Sequence, residues 1–474
     1  MKKLVCGGTV VAATGIIETD ILIDGGTIAG IGDFSALRNG ATDANLEIID
    51  AQGCIVVPGG VDAHTHIGFP LKGFISNDDY WSGTCSAVAG GTTTIAVFLP
   101  PPRSGESMVD AIRKERMAGD AEVLADYCFQ QTLSDASEAT LAAINALVAE
   151  GYPGFKVFLG SDIAMSDFDT LRIMRTLKDC GGQLLVNGGN PGMERFATNA
   201  FSVAERADLA NYGRNRPEII EAEGLSRAAF LARFAGISIY AVHVSSASAL
   251  AEIKKARAEG CNITAETCPH YLILSDEKYA AYGPEALRFT LNPPLRGPFN
   301  LEPLWKGLAD GALDIVSSDH CPFNILGQKD QASSDFMKIP NGLPGIEPRL
   351  PLLYSEGVRG NRLSLRRFVE VTSTNPAKYL GLYPSKGEIA PGSDADLVVI
   401  DPEANGVFSR STLLQRNDYT PYEGIRRRGA IRTTLVRGSI VYKAGRGIVG
   451  HKGQGMYLPR FLESKKACVS PLSL

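Results

Sequence analysis

Eight apolar, β-rich runs follow one another between residues 55 and 320, each separated from the next by a stretch with helical periodicity. They are IVVPGGVDAHTH (55–66), TTTIAVFL (92–99), ADYCFQQTL (125–133), GFKVFL (154–159), QLLVNG (183–188), SIYAVHV (238–244), NITAETC (262–268) and LDIVSSDH (313–320). The stretches between carry helix start and stop signals. DFDTLRIMRTLKDCGG opens on acidic residues and closes on a glycine pair, and SASALAEIKKARAEG opens on a serine cap. Strands that alternate with helices build parallel sheets, and eight in-line repeats favour closure into a (β/α)8 barrel over a doubly wound sheet.

The flanks differ in character. Residues 1–55, and the stretch from 386 onward with GEIAPGSDADLVVID and TTLVRGSIVYKAGRGIV, are short β-type runs joined by glycine-rich turns. The two ends are therefore expected to meet in one β-sandwich. Segment 1–55 would be its N-terminal part, 56–385 the TIM-barrel domain, and 386–474 the C-terminal part of the sandwich with a tail. At 474 residues, 44% of them hydrophobic and 21% charged, the chain has the material for two such units and is no candidate for disorder. Two lysines precede an apolar run at the start, as in a leader peptide. Gly7 and Gly8 interrupt that run, however, and it leads into a hairpin at Gly25-Gly26.

Charge and cysteine usage narrow the partners. The net charge is −5 and basic residues are scattered, apart from Arg426, Arg427 and Arg428, so nucleic acid is not an expected partner. No run approaches the ~20 apolar residues of a membrane span, so a membrane is not expected either. Nine cysteines without C-x-x-C spacing fit free thiols in a reducing compartment, and a cytoplasmic location is expected.

In a barrel, polar side chains at the carboxyl ends of the strands converge on one mouth. Here the first run ends in His64-Thr65-His66, the fourth holds Lys156, the fifth ends near Asn187, the sixth carries His243, and the eighth reaches Asp319. The two-residue period of a strand turns His64 and His66 the same way, so both reach one ion, and imidazoles suit zinc or a similar divalent metal. With His243 and Asp319 ending two other strands, the set reads as a metal centre. Lys156 lies in an apolar strand and must be paired, deprotonated or modified. One partner for it is Asp319; one modification is uptake of carbon dioxide to give a carbamate able to bridge two metals.

Together GGVDAHTHIGFP, ISNDDYWSGTCSAVAGGTTTIAVF, GFKVFL, YAVHVSS, ETCPHYL, LNPPLR, SSDHCPFN, IPNGLPGIEPRLPLLYSEGV and STNPAKYLGLYPSKGEIAPGSDADLVVIDP resemble the dihydropyrimidinase and hydantoinase branch of the amidohydrolase superfamily. The likeness runs in order along nearly the whole chain. It implies a TIM barrel with a β-sandwich and a two-metal centre that hydrolyses the C–N bond of a cyclic amide, such as a dihydropyrimidine, a hydantoin or a related imide. His64 and His66 would bind the first metal with Asp319, a carbamylated Lys156 would bridge both, and His243 would bind the second. A hydroxide held there would attack the ring carbonyl, with Asp319 as general base and then general acid. The metal is expected to be zinc, with manganese as the alternative, at one or two ions per chain. Substrate contacts are implied near LNPPLR and IPNG, here Asn292 and Asn341, and the resemblance implies a homotetramer.

Two positions depart from the family pattern. Where the fifth strand should end in a V-H-A-E-N-like motif, this chain reads Val186, Asn187, Gly188, Gly189, Asn190, so Asn187 stands at the place of a ligand histidine. Five residues after the lysine, Ser161 stands where the family has a tyrosine that hydrogen-bonds the developing oxyanion. None of the six histidines lies between His66 and His243, and His270 and His451 are read as structural. Three outcomes follow from Asn187: a weak oxygen ligand suited to manganese or magnesium, a site holding the first metal alone, or a non-catalytic chain like the collapsin-response mediator proteins. A mononuclear, deaminase-like hydrolase is a further alternative.

Overall fold

The computed structural model describes residues 2–12, 14–39, 46–161 and 163–462. Eight parallel strands form the predicted barrel: β1 (Gly60–Thr65), β2 (Thr92–Leu99), β3 (Asp126–Thr132), β4 (Gly154–Phe158), β5 (Gln183–Asn187), β6 (Ile239–Ala241), β7 (Ile263–Thr267) and β8 (Ile315–Val316). Each pairs with the next in chain order, and a parallel bridge between Thr65 and His320 brings the last strand back to the first. Every side chain of β2 and β3 is buried, as it must be where helices cover one face and the barrel interior fills the other. The helices obey their sequence signals. Ser166 caps Asp167–Cys180, which ends on left-handed Gly181, and Ser246 caps Ala247–Ala258.

The first run, read as one strand over 55–66, is in fact two. Ile55–Pro58 lies in a second sheet, and β1 begins only at Gly60. A Cβ on Gly59 would lie 2.1 Å from Thr93 Oγ1, so the chain crosses between the units where no side chain fits. The second sheet has nine strands, eight of them ordered Gly447–Ile448, Ser439–Lys443, Arg426–Val436, Leu397–Val407, Ile55–Pro58, Lys2–Ala12, Gly15–Asp24 and Thr27–Gly32, with Leu46–Asp50 also on Lys2–Ala12. The two ends of the chain meet through Ile55–Pro58, which is parallel to Lys2–Ala12 and antiparallel to Leu397–Val407. Val10, Ile21, Ile23, Val56, Leu397 and Leu435 pack into one cluster on this sheet.

The opening apolar run is the strand Lys2–Ala12, and Gly7, at φ +70°, sits in its bulge between Val5 and Gly8. Among the described residues no helix is long and apolar enough to cross a membrane. Of the C-terminal tail, residues 463–474 lie outside the described residues. The segment before them docks on the barrel of its own chain, where buried Arg460 donates to Phe129 O (2.8 Å) and Gln183 Oε1 (3.1 Å).

Candidate metal centre

The barrel mouth gathers side chains from six strands. His64 lies in β1 and His66 one residue beyond it, while Asp319 follows β8 with its backbone at φ +47°, a left-handed conformation uncommon for an aspartate. His64 Nε2 is 3.2 Å from His66 Nε2, and each of these nitrogens is 3.3 Å from Asp319 Oδ1. Three ligand atoms thus converge, the two imidazoles buried and the carboxylate partly open to solvent. Their spacing matches the edge, about 3.3 Å, of a tetrahedron around an ion bonded at ~2.0–2.1 Å, so the trio fits a divalent cation.

Electrostatics agree with that fit. Burial lowers the pKa of His64 to about 3 and of His66 to about 4, so both imidazoles are neutral near pH 7, the form that ligates a metal. Burial opposes ionisation of Asp319, but His64, His66 and His243 around it outweigh burial and hold its carboxyl well below the usual range. His64 Nδ1 lies 2.8 Å from Glu266 Oε1, which places the ring proton on Nδ1 and turns the Nε2 lone pair toward the trio.

Lys156, inside β4 and 2% exposed, has its Nζ 3.2 Å from His64 Nε2 and 4.5 Å from the centre of the Phe98 ring. Its hydrogen-bond partner is therefore His64, not Asp319. Burial pulls its pKa down, which favours the neutral, nucleophilic amine.

The other half of the mouth is arranged differently. His243 follows β6 at φ +40°, and Asn187 is the last residue of β5. Asn187 Nδ2 lies 2.8 Å from His243 Nε2 and donates to it. Burial lowers the His243 pKa to about 3, so the ring is neutral, and with the amide nitrogen as its neighbour Nε2 is the acceptor. The backbone N–H of His243 donates to Glu266 Oε1 (2.9 Å), and the Tyr240 hydroxyl donates to Glu266 Oε2 (2.6 Å). Glu266, in β7, was not singled out from the sequence. It sits inside the run NITAETC, where an acid carries no ligand spacing; its only signal there is a charge in a strand buried on both faces.

A cavity of about 250 Å³ opens over this cluster, and Phe69, Phe158, Ser161, Arg216, Asn292 and Asn341 are in its wall. The structure thus brings the three expected substrate contacts to the same space as the metal-ligating candidates. Ser161 is at φ +72°, its N–H 3.2 Å from both carboxylate oxygens of Glu194, and its hydroxyl accepts from Ile163 N (3.4 Å). Glu194 lies on α1 (Pro191–Asn199) and also faces Arg216 Nε at 3.4 Å. Tyr212 Oη is 2.8 Å from both Asn341 Oδ1 and Leu291 O, tying the two substrate-side segments together. The remaining histidines stand apart. His320 pairs with Asp78 at 3.0 Å, His270 is buried against Tyr271, and His451 is exposed.

The chain is similar to known proteins along nearly its whole length. Residues 241–441 match the model of the Amidohydrolase family. A D-hydantoinase of Geobacillus stearothermophilus is 39% identical, with 97% of each chain covered, and a D-hydantoinase of Streptomyces coelicolor is 38% identical over 97% of this chain and 98% of its own. Among solved structures, the dihydropyrimidinase of Brevibacillus agri superposes with a TM-score of 0.92 at 37% identity, covering 97% of this chain and 99% of that one. An L-hydantoinase of Arthrobacter aurescens superposes at 0.87 with 30% identity, over 97% and 99%. With these relatives matched over nearly their full length, the chain belongs to the amidohydrolase family, in its hydantoinase and dihydropyrimidinase branch.

Proposed function

We propose that the chain is a metal-dependent hydrolase that opens a cyclic amide at its C–N bond, with a hydantoin, a dihydropyrimidine or a related imide as substrate. The observation that carries this reading is the trio His64, His66 and Asp319, spaced for one divalent cation beneath a cavity of about 250 Å³, room enough for a small ring. Such a cation supplies Lewis acidity, which makes water more acidic and a carbonyl more electrophilic. The protein's own part is orientation and proton transfer. Asp319 turns Oδ1 to the two imidazoles and keeps 14% of its side chain exposed to the cavity, which leaves Oδ2 for a proton. It takes the proton from water as the oxygen bonds to the ring carbonyl carbon, then delivers it to the ring nitrogen as the C–N bond breaks. Asn292 and Asn341, in the wall of the same cavity, hold the ring.

The same reading extends to cofactor and setting. Zinc is the ion we assign, since two imidazoles and one carboxylate form a three-ligand set of the kind catalytic zinc takes. Burial shifts Lys156 toward the neutral amine, the form that adds carbon dioxide with formation of an N–C bond and release of one proton. The resulting carbamate would face His64 with an anion in place of an amine. Association of copies into a homotetramer is supported by an apolar face on α2 (Glu218–Ala235), where Ile219, Phe230 and Phe234 are 57%, 60% and 55% exposed. A cytoplasmic location is supported by eight cysteines among the described residues that form no disulfide.

The test is ring opening of hydantoin and dihydrouracil by the zinc-loaded protein, with Asp319→Asn alongside. Ring opening that falls at least about 1,000-fold in the variant is the expected result. Turnover unchanged in Asp319→Asn would remove Asp319 from the chemistry, and none in the native protein would remove the activity.

A further inference from the structure

The two halves of the mouth are not equivalent. The first half offers three ligand atoms that face one another, the number a catalytic site for one such ion takes before its open position. The second half offers His243 and Asn187, and these two are bonded to each other: the Asn187 amide N–H lies on His243 Nε2 at 2.8 Å. Both are buried, at 3% and 6% exposure. Glu266 holds the main chain of His243. The carbonyl of Asn187 accepts from Leu159 N (3.0 Å), and the Gly189 carbonyl beyond it accepts from Arg227 Nη2 (2.7 Å). His243 Nε2 thus faces an amide rather than a second imidazole or a carboxylate, and no third His, Cys, Asp or Glu ligand atom joins it among the described residues.

Asn187 nevertheless reaches the cavity. A primary amide has two N–H groups, and one of them is spent on His243. The other, fixed in direction by that bond, stays available beside the reacting centre.

The geometry points to a centre that takes one divalent cation, on His64, His66 and Asp319, with Asn187 donating to the substrate's carbonyl oxygen where a second cation would otherwise polarise it. His243 is then the positioning residue that aims the amide. This rests on the hydrolase reading above only for the role of Asn187, since the number of ions stands apart from turnover. It also accounts for the family histidine missing at this position while His243 remains: an imidazole there would accept or ligate, whereas the amide donates.

Ion content decides the first part. Protein saturated with zinc and passed into metal-free buffer is expected to retain one ion per chain, and Asn187→His two. Two ions per native chain, or one in Asn187→His, would overturn the assignment. Asn187→Ala decides the second. It is expected to keep one ion with affinity within about twofold, and to lose kcat by about 100-fold or more with KM little changed. His243→Gln, which keeps an acceptor for the amide, is expected to lose less kcat than His243→Ala. A native kcat in Asn187→Ala, or a lost ion, would overturn the donor role. A chain that holds one ion and opens no ring would refute the hydrolase reading and the donor role with it, leaving the ion count intact.

Discussion

One buried carboxylate governs both halves of the centre. Glu266 Oε1 accepts from His64 Nδ1 and from the His243 main chain, so it sets the tautomer of one imidazole and the position of the other. Glu266→Gln keeps an oxygen but loses the charge that fixes the His64 proton. Zinc affinity, read by chelator competition, is expected to fall about 10- to 100-fold with the fold retained; native affinity would show that His64 needs no such partner. At this scale the sequence was uneven. His64, His66 and Asp319 were legible because strand periodicity and strand ends determine where they point. The use of Asn187 was not, because whether an asparagine ligates, donates or merely fills space depends on a hydrogen bond to a residue 56 positions away. Nor could the sequence show that Ser161 lies in a left-handed turn held by Glu194.

Strand runs were read well because each is short, apolar and bounded by turn residues, and the error at 55–66 has a local cause. Two strands in different sheets meet at Gly59 with no polar break between them, so hydrophobicity alone joins them. Gly189 shows the reverse case, a departure from the family pattern that only packing explains. A Cβ there would lie 2.7 Å from Glu194 Oε1 and 2.9 Å from Gly160 Cα, so the ends of β4 and β5 approach too closely for a side chain. Across the cavity, the segments carrying Asn292 and Asn341 are joined by Lys329, which is fully buried. Its Nζ lies at 2.8 Å from Gly342 O, 3.0 Å from Thr290 O, 3.1 Å from Thr290 Oγ1 and 3.2 Å from Leu287 O. Lys329→Met would leave those buried oxygens without their donor and loosen that wall. KM is expected to rise about tenfold while ion content stays at the native value; an unchanged KM would mean that the wall does not need the clamp.

The barrel and the second sheet are bound by buried charge as well as apolar packing. Lys386 Nζ is 2.6 Å from Asp126 of β3 and 2.9 Å from both Asp394 and Asp396, and Arg437 also pairs with Asp126. Glu347 adds a second tie, accepting from Leu414 N (2.7 Å) and Gln415 N (3.3 Å). Burial pushes its pKa up from 4.5 to about 8. Between those values the native chain binds the proton that the unfolded chain has lost, so this group's contribution to stability is full below pH 4.5 and drains away as pH rises toward 8. Glu347→Gln does not titrate. Its stability relative to native is expected to improve across that window, by up to about 5 kcal/mol, as thermal melts against pH would show; parallel melting curves would contradict it. None of these ties was legible in the sequence, since they join residues up to 311 positions apart. The overall architecture was, because it follows from periodicity and order along the chain.

On this reading the molecule opens a cyclic amide only with its metal. Protein stripped with chelator, then resupplied with zinc and bicarbonate, can be given hydantoin while the products are followed by NMR. Ring opening to the N-carbamoyl acid, absent without zinc, restored by it and free of ammonia release, is the predicted result. Zinc-loaded protein that leaves the ring intact, or that releases ammonia from it, would contradict the account.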